Sequence, residues 1–359
     1  MSKIRVAVLF GGVSSEHEIS LKSATNVIQN LPKDKYEVVP VGITKKGRWL
    51  FYPGDVKNIA LGQWDSNPDC TPAVILPDPM YKGIMKIEND SFSFTKIDAV
   101  FPVLHGKNGE DGTVQGLLEL AQIPYVGCGV LASAVCMDKE FTHIVLNSAG
   151  INTAKYRIVR SSDLGSLDEI CSDIGSDLGF PVYVKPANGG SSIGVNRAED
   201  PETLKDAVKL AFAHDSKVIV EETITGREIE CAVMGNDNPF ASTVGEIMPA
   251  DDKFYDYDAK YVLGSTVLGI PADVPDEVSK EIRETAVKAF GAVNGSGLSR
   301  VDFFYADSGK VYINEINTLP GFTAISMYPK LMENIGISYS ELLDRLVKLS
   351  LEKADVSYE

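Results

Sequence analysis

The segment from Leu298 to Asn317, LSRVDFFYADSGKVYINEIN, restricts the fold more than any other stretch of the chain. Two alternating runs flank Ser308-Gly309, a two-residue turn pair suited to an antiparallel hairpin. Pairing Asp307 with Lys310 sets a register in which Asp302 faces Glu315 and Arg300 faces Asn317. Side chains alternate with a period of two, so all four project from one face. Carboxylates directly opposite one another destabilise a sheet. A hard divalent cation removes that penalty, and carboxylate plus amide oxygens are the donors Mg²⁺ prefers, above all when the ion also carries a nucleotide. The competing reading of the same residues is a solvated acidic hairpin.

Ahead of the hairpin the pattern falls into two regimes. Residues 4–10, 37–43 and 98–104 read as strands, and helix 112–121 sets Val114, Leu117, Leu118 and Ala121 on one face. This βαβ patterning predicts an open, mainly parallel sheet. A helix opens near Ser15, with Glu18 at capping-box spacing. The Pro-, Asp- and Gly-rich stretch 64–83 reads as an irregular surface insertion. From Asp138 the pattern turns α+β: helices 138–148, 166–178 and 201–214 alternate with strands 154–159, 181–186 and 217–222. Strands 228–235 and 241–248, helix 276–293, the hairpin and a last helix 338–351 follow.

Composition removes several classes. The 34 Lys+Arg against 50 Asp+Glu give a net charge of −16, which leaves no basic footprint for nucleic acid. Cys70, Cys128, Cys136, Cys171 and Cys231 are scattered without metal spacing, as expected for reduced thiols in the cytoplasm. The apolar run Val6 to Phe10 is too short for a signal peptide or a membrane span, and no later run approaches one. A soluble cytoplasmic protein of two or three domains is expected.

A second chemical signal is Tyr183-Val184-Lys185-Pro186-Ala187-Asn188-Gly189-Gly190-Ser191-Ser192-Ile193-Gly194. Glycines let successive backbone N–H groups face one anion, the serines add hydroxyl donors, and Lys185 ends the preceding strand. This is not a Walker A loop, and Gly11-Gly12-Val13-Ser14-Ser15 is not a dinucleotide fingerprint. A polar hairpin loop accounts for the same residues.

Taken in order, six motifs resemble the ATP-grasp enzymes, and among them the D-alanine–D-alanine ligases. They are the stretch Leu9 to Glu16, His105 to Gly112, Met137-Asp138-Lys139, the loop around Ser191, Phe254 to Tyr261, and the hairpin with Asn317 to Thr323. The resemblance covers essentially the whole chain. It implies a three-domain ATP-grasp fold: an α/β domain (1–128), a central α+β subdomain with the phosphate loop (129–220), and a C-terminal subdomain with a lid and the Mg²⁺ hairpin (221–359). It implies formation of D-alanyl-D-alanine for the cell wall through a D-alanyl phosphate. It also implies about two Mg²⁺ ions, replaceable by Mn²⁺, ATP as co-substrate and a homodimer.

Site roles follow from the same resemblance. Lys139, Lys185 and Ser192 are expected on the ATP phosphates, and Asp302, Glu315 and Asn317 on the metal. Glu221 and Glu228 match the adenine- and ribose-side acids, with Glu222 to Ile224 and Phe254 around the base. Thr223 stands where some relatives carry a bulkier aromatic. Glu16 would pair with the ammonium of the first D-alanine, and His105 would lie near its carboxylate. Arg300 and the Gly321 N–H would form an oxyanion hole. Ser326 and Lys260 would hold the second carboxylate. Tyr261 would join Glu16 and Ser191 in a hydrogen-bonded triad, inside a lid spanning 251–264. Tyr261 and Met327 point to D-alanine as second substrate. D-serine and D-lactate stay open, as does a nucleotide-binding protein without catalysis, and as does the base for the second amine.

Overall fold

In the computed structural model, residues 2–88, 91–191, 193–249 and 266–357 are described. The lid segment, including Phe254, Lys260 and Tyr261, and also Ser192, lie outside the described residues.

The N-terminal sheet has seven strands: β1 (Ile4–Gly11), β2 (Tyr36–Ile43), β3 (Trp49–Phe51), β4 (Thr71–Ile75), β5 (Gly83–Glu88), β6 (Ser91–Lys96) and β7 (Ala99–Leu104), ordered β6-β5-β4-β3-β2-β1-β7. β1 is parallel to β2 and β7, in keeping with the βαβ reading. The other four pairings are antiparallel, so the sheet is mixed rather than mainly parallel. The difference arises between residues 49 and 96, where β3 to β6 add antiparallel pairings, and it takes in the stretch read as an insertion. That stretch supplies β4 and a turn of 3-10 helix (Trp64–Ser66) whose Trp64 is 1% exposed and stacks edge-on against Phe10. Proline and aspartate punctuation marked its turns, but single apolar residues between them carry the packing.

β1 is buried on both faces, which is why its sequence shows no polar alternation. Val6, Val8 and Phe10 join one core with helix His17–Asn30, while Ala7 and Leu9 join another with helix Thr113–Leu120. That first core also takes in Leu342, Leu346 and Tyr328, so the C-terminal helices pack on the N-terminal sheet. Asp344 pins this contact by accepting from Tyr36 Oη at 2.8 Å and pairing with Lys35 Nζ at 3.0 Å. Helix His17–Asn30 starts one residue later than the capping-box reading places it. Its N-cap is Glu16, Ser14 Oγ accepts from the Glu16 N–H, and Glu18 pairs with Lys45 instead.

β8 (Tyr156–Arg160), β9 (Val182–Pro186), β10 (Asn196–Ala198) and β11 (Lys217–Glu222) form a four-stranded sheet ordered β10-β9-β11-β8, with a core of its own around Val184, Leu204 and Val220. β12 (Gly226–Gly235), β13 (Phe240–Pro249), β14 (Thr266–Gly269), β15 (Gly297–Ala306) and β16 (Val311–Asn317) form the third sheet, ordered β14-β13-β12-β15-β16. All five cysteines are free thiols, and no helix among the described residues is long and apolar enough to cross a membrane.

Deleting the indole of Trp64 tests the corrected reading of its segment. Trp64→Ala is expected to lower unfolding free energy by about 3–5 kcal/mol, the cost of a large buried cavity, in urea denaturation. A surface insertion would lose almost nothing.

Candidate active site

The hairpin reaches its expected pairs by a different route. The turn joins Ala306 to Lys310, with the Gly309 N–H donating to Ala306 O at 2.8 Å and Gly309 at φ 81°. This is a three-residue loop, and it offsets the register by one. A bulge at Asn314 restores it, so that Asp302 faces Glu315 and Arg300 faces Asn317 as expected. The bulge also re-aims a side chain, as bulges beside sites do. Asn314 Oδ1 accepts from Lys185 Nζ at 3.3 Å.

The opposed acids are compensated from within the sheet. Arg300 Nε and Nη2 each lie 2.7 Å from an oxygen of Asp302, and Nε lies 3.0 Å from Glu230 Oε2 on β12. Asn317 Nδ2 donates to Asp302 Oδ2 at 2.9 Å. Behind this face, Lys185 Nζ meets Glu221 Oε2 at 2.5 Å, and His143 Nε2 meets Glu221 Oε1 at 2.9 Å. Burial pushes the Glu221 carboxyl up, but the Lys185 charge and the His143 contact outweigh it and hold it well below the usual range. Burial likewise disfavours the Lys185 ammonium, and Glu221, Glu315 and Glu228 reverse that.

A cleft of about 400 Å³ opens where the three sheets meet, and Glu16, His105, Lys139, Ser191, Arg300 and Glu315 are among the residues lining it. Asn317, Gly321, Ser326 and Met327 complete its far wall. Ser191, at φ 52°, donates to Glu16 Oε1 at 2.5 Å, so two members of the expected triad are bonded. A side chain at Gly106 would come within 2.8 Å of Glu16 Oε2, which requires glycine there. Lys139 Nζ donates to Gly189 O at 2.6 Å, and its backbone N–H donates to Ala187 O at 3.0 Å. Lysine and glycine-serine loop are thus joined.

His105 follows the end of β7, 5% exposed, and its Nδ1 lies 3.1 Å from Leu319 O. Burial lowers its pKa against the pull of Glu16, so the ring is neutral at pH 7. Glu110 takes the other side of the same residue. It accepts from the Gly106 N–H at 2.6 Å and from the Leu319 N–H. Ser23 Oγ accepts from the Phe322 N–H at 3.3 Å, and Ser326 Oγ from the Thr323 N–H at 3.0 Å. The loop that carries Gly321 is held largely by N-terminal-domain groups.

The fold is matched by the comparisons with known proteins. The model of the D-ala D-ala ligase N-terminus matches residues 5–128, and that of the D-ala D-ala ligase C-terminus residues 145–348. The chain belongs to the D-alanine–D-alanine ligase family. A D-alanine--D-alanine ligase of Caldicellulosiruptor bescii is 50% identical over 355 residues, 98% of this chain and 96% of the relative. The VanG D-Ala:D-Ser ligase from Enterococcus faecalis superposes with a TM-score of 0.89 at 42% identity, covering 97% of this chain and all of the other. The ligase from Coxiella burnetii gives 0.88 at 35%, covering 99% and 96%.

Within this ligase scaffold some expected residues stand apart from the cleft wall. Lys185, Glu221 and Glu228 form the charged layer behind it. The Glu222 backbone N–H is bonded to Lys155 O, and its carboxylate accepts from the Lys155 N–H at 2.8 Å. Ile224 is partly exposed in the link from β11 to β12. Asp302 lies behind Arg300. Sequence reasoning missed Glu110, Glu230 and Asn314. Glu110 stood inside a motif already singled out, and Glu230 is in phase with Glu228 on one strand. Nothing local announced the Asn314 bulge.

Burial and the charge of Glu16 push the Glu110 carboxyl up to about 8. A carboxyl raised on folding keeps its proton longer in the native state, so its contribution to stability falls as pH rises from the ordinary carboxylate range through 8. Glu110→Gln removes that slope. Between pH 5.5 and 8.5 the variant should gain about 3 kcal/mol relative to the unmodified protein, measured by denaturation at both values. Parallel pH profiles would show that Glu110 ionises normally.

Proposed function

We propose that the chain ligates two D-alanines into D-alanyl-D-alanine for the bacterial cell wall, in the cytoplasm and as a homodimer, with ATP converted to ADP and phosphate. The observation that carries this reading is the meeting of Glu16, Lys139 and Arg300 in one cleft of a D-alanine–D-alanine ligase fold. A carboxylate oxygen of the first D-alanine attacks the terminal phosphorus of ATP, and the bond to the ADP oxygen breaks. The amine of the second then attacks the carbonyl carbon of the resulting D-alanyl phosphate. The carbon–oxygen bond to phosphate breaks, and the amine loses a proton.

The chain's own residues do the positioning that such phosphoryl transfer needs. Glu16 receives the first ammonium, oriented by the Ser191 hydroxyl. Lys139 and the glycine-serine loop receive the phosphates, with Lys185 as the charge behind them. Arg300 and the Gly321 N–H receive the negative charge that develops on the carbonyl oxygen. Gly321 is suited to this, because a side chain there would come within 2.8 Å of Ser326 Oγ. His105, being neutral, shapes the pocket and holds Leu319 rather than supplying charge. Ser326 and the start of helix Met327–Asn334 receive the second carboxylate, assisted by Lys260.

The donor set suits Mg²⁺. Asp302 and Glu315 are opposed across the hairpin, and Asn317 adds an amide. Few protein ligands are what an ion shared with substrate phosphates requires. When bound there, Mg²⁺ neutralises phosphate charge.

D-Alanyl-D-serine synthesis is the second reading, favoured by the likeness to the VanG D-Ala:D-Ser ligase. Met327, 5% exposed and with its sulfur against Gly245, favours the first. Incubation with ATP and D-alanine alone should yield D-alanyl-D-alanine by mass spectrometry. Turnover only with D-serine or D-lactate added would reverse the assignment. Glu315→Gln should cut turnover by about 100-fold or more without unfolding, and near-normal activity would remove the metal assignment.

A further inference from the structure

Lys217, at the start of β11, carries a buried charge that this chemistry leaves unused. Its Nζ lies 2.8 and 2.6 Å from the two carboxylate oxygens of Asp138 and 2.7 Å from Glu140 Oε2. It also sits 4.9 Å above the Phe141 ring. Asp138 and Glu140 are the two chain neighbours of Lys139. Asp138 caps the helix that Lys139 begins, accepting from the Phe141 N–H at 3.3 Å. Around Lys217, Arg160 Nη2 reaches Glu140 at 3.1 and 3.2 Å, while the salt bridge to Asp138 comes from Lys217.

The same strand end fixes the loop. Lys217 O accepts from the Ala187 N–H at 2.9 Å, and Asp215 Oδ2 accepts from Asn188 N and Nδ2 at 2.8 and 2.9 Å. Lys139 is tied to that loop through its backbone and its ammonium. Residues 215–217 therefore bracket both halves of the proposed phosphate site.

We propose that Lys217 is a positioning residue for ATP: it sequesters the Asp138 and Glu140 carboxylates so that the Lys139 ammonium stays over the glycine-serine loop. A carboxylate left partly buried without its cation is costly and takes the nearest replacement. With Lys217 neutral, that replacement is the ammonium between the two acids, which then turns away from the loop. The inference rests on the reading that Lys139 meets ATP.

Steady-state kinetics on the full chain test it. Lys217→Met should raise the KM for ATP on the order of tenfold, while kcat and the KM for D-alanine change by less than about twofold. Lys217→Arg should stay near the unmodified value. Adding Asp138→Asn to Lys217→Met removes one orphaned carboxylate and should recover most of the ATP affinity, a rescue that a purely structural lysine would not show. Lys217→Gln serves the same comparison if the methionine variant does not fold. An unchanged ATP KM, or a loss that Asp138→Asn does not relieve, overturns the proposal. Lys139→Met separates the two levels. If it raises the ATP KM and Lys217→Met does not, only the inference falls; if neither does, the nucleotide reading of Lys139 falls as well.

Discussion

Lys185 and Arg300 each stand between carboxylates that burial by itself would not leave charged. Glu221, itself bonded to His143, holds Lys185 from one side, with the Asn314 amide from the other; Asp302 and Glu230 hold Arg300. A buried ion loses several kcal/mol of hydration and stays charged only where opposite charge and hydrogen bonds replace the water. The cleft is built outward from these two centres. They determine which strand faces carry acids, why β15 and β16 must keep their register near Arg300, and why the bulge at Asn314 is tolerated. In a chain of net charge −16 the cleft wall thereby sets Lys139 and Arg300 among Glu16, Glu230 and Glu315, each cation kept charged by the acids around it.

The second organising feature is the sharing of groups between distant parts of the chain. The C-terminal helices complete the core of the N-terminal sheet, and His105, Glu110 and Ser23 fix the loop that ends β16. The Leu319 peptide is gripped from both sides, its carbonyl by His105 and its N–H by Glu110. The four-stranded sheet, by contrast, has a separate core, and its contacts with the cleft run through Ser191, Lys139 and Lys185. Residues that handle opposite ends of the proposed reaction thus belong to units with different packing.

Much of the site was legible because the chemistry is concentrated in short motifs. Asp302 opposite Glu315 followed from alternation, although the register arose from two compensating irregularities, a longer turn and a bulge. The Glu16–Ser191 contact, between residues 175 apart, was available only by resemblance to a family. Trp64 was misread because turn-forming neighbours masked a single large core residue. The helix start at Glu16 rather than Ser15 shows a related limit, since spacing fixes a helix end only to within a residue or two.

What the sequence determined by itself was local: strand alternation, the face carrying Arg300, Asp302, Glu315 and Asn317, and the glycine positions that free backbone N–H groups. Those features depend on side-chain period and backbone sterics within a few residues. Only the tertiary structure decided which charges meet. Arg300 pairs with both Asp302 and Glu230, Lys185 shares Glu221 with His143, and Lys217 occupies the acids beside Lys139. Pairing of this kind depends on distances between segments far apart in the chain and on how little water is left between them, and neither quantity is written in any one stretch of residues.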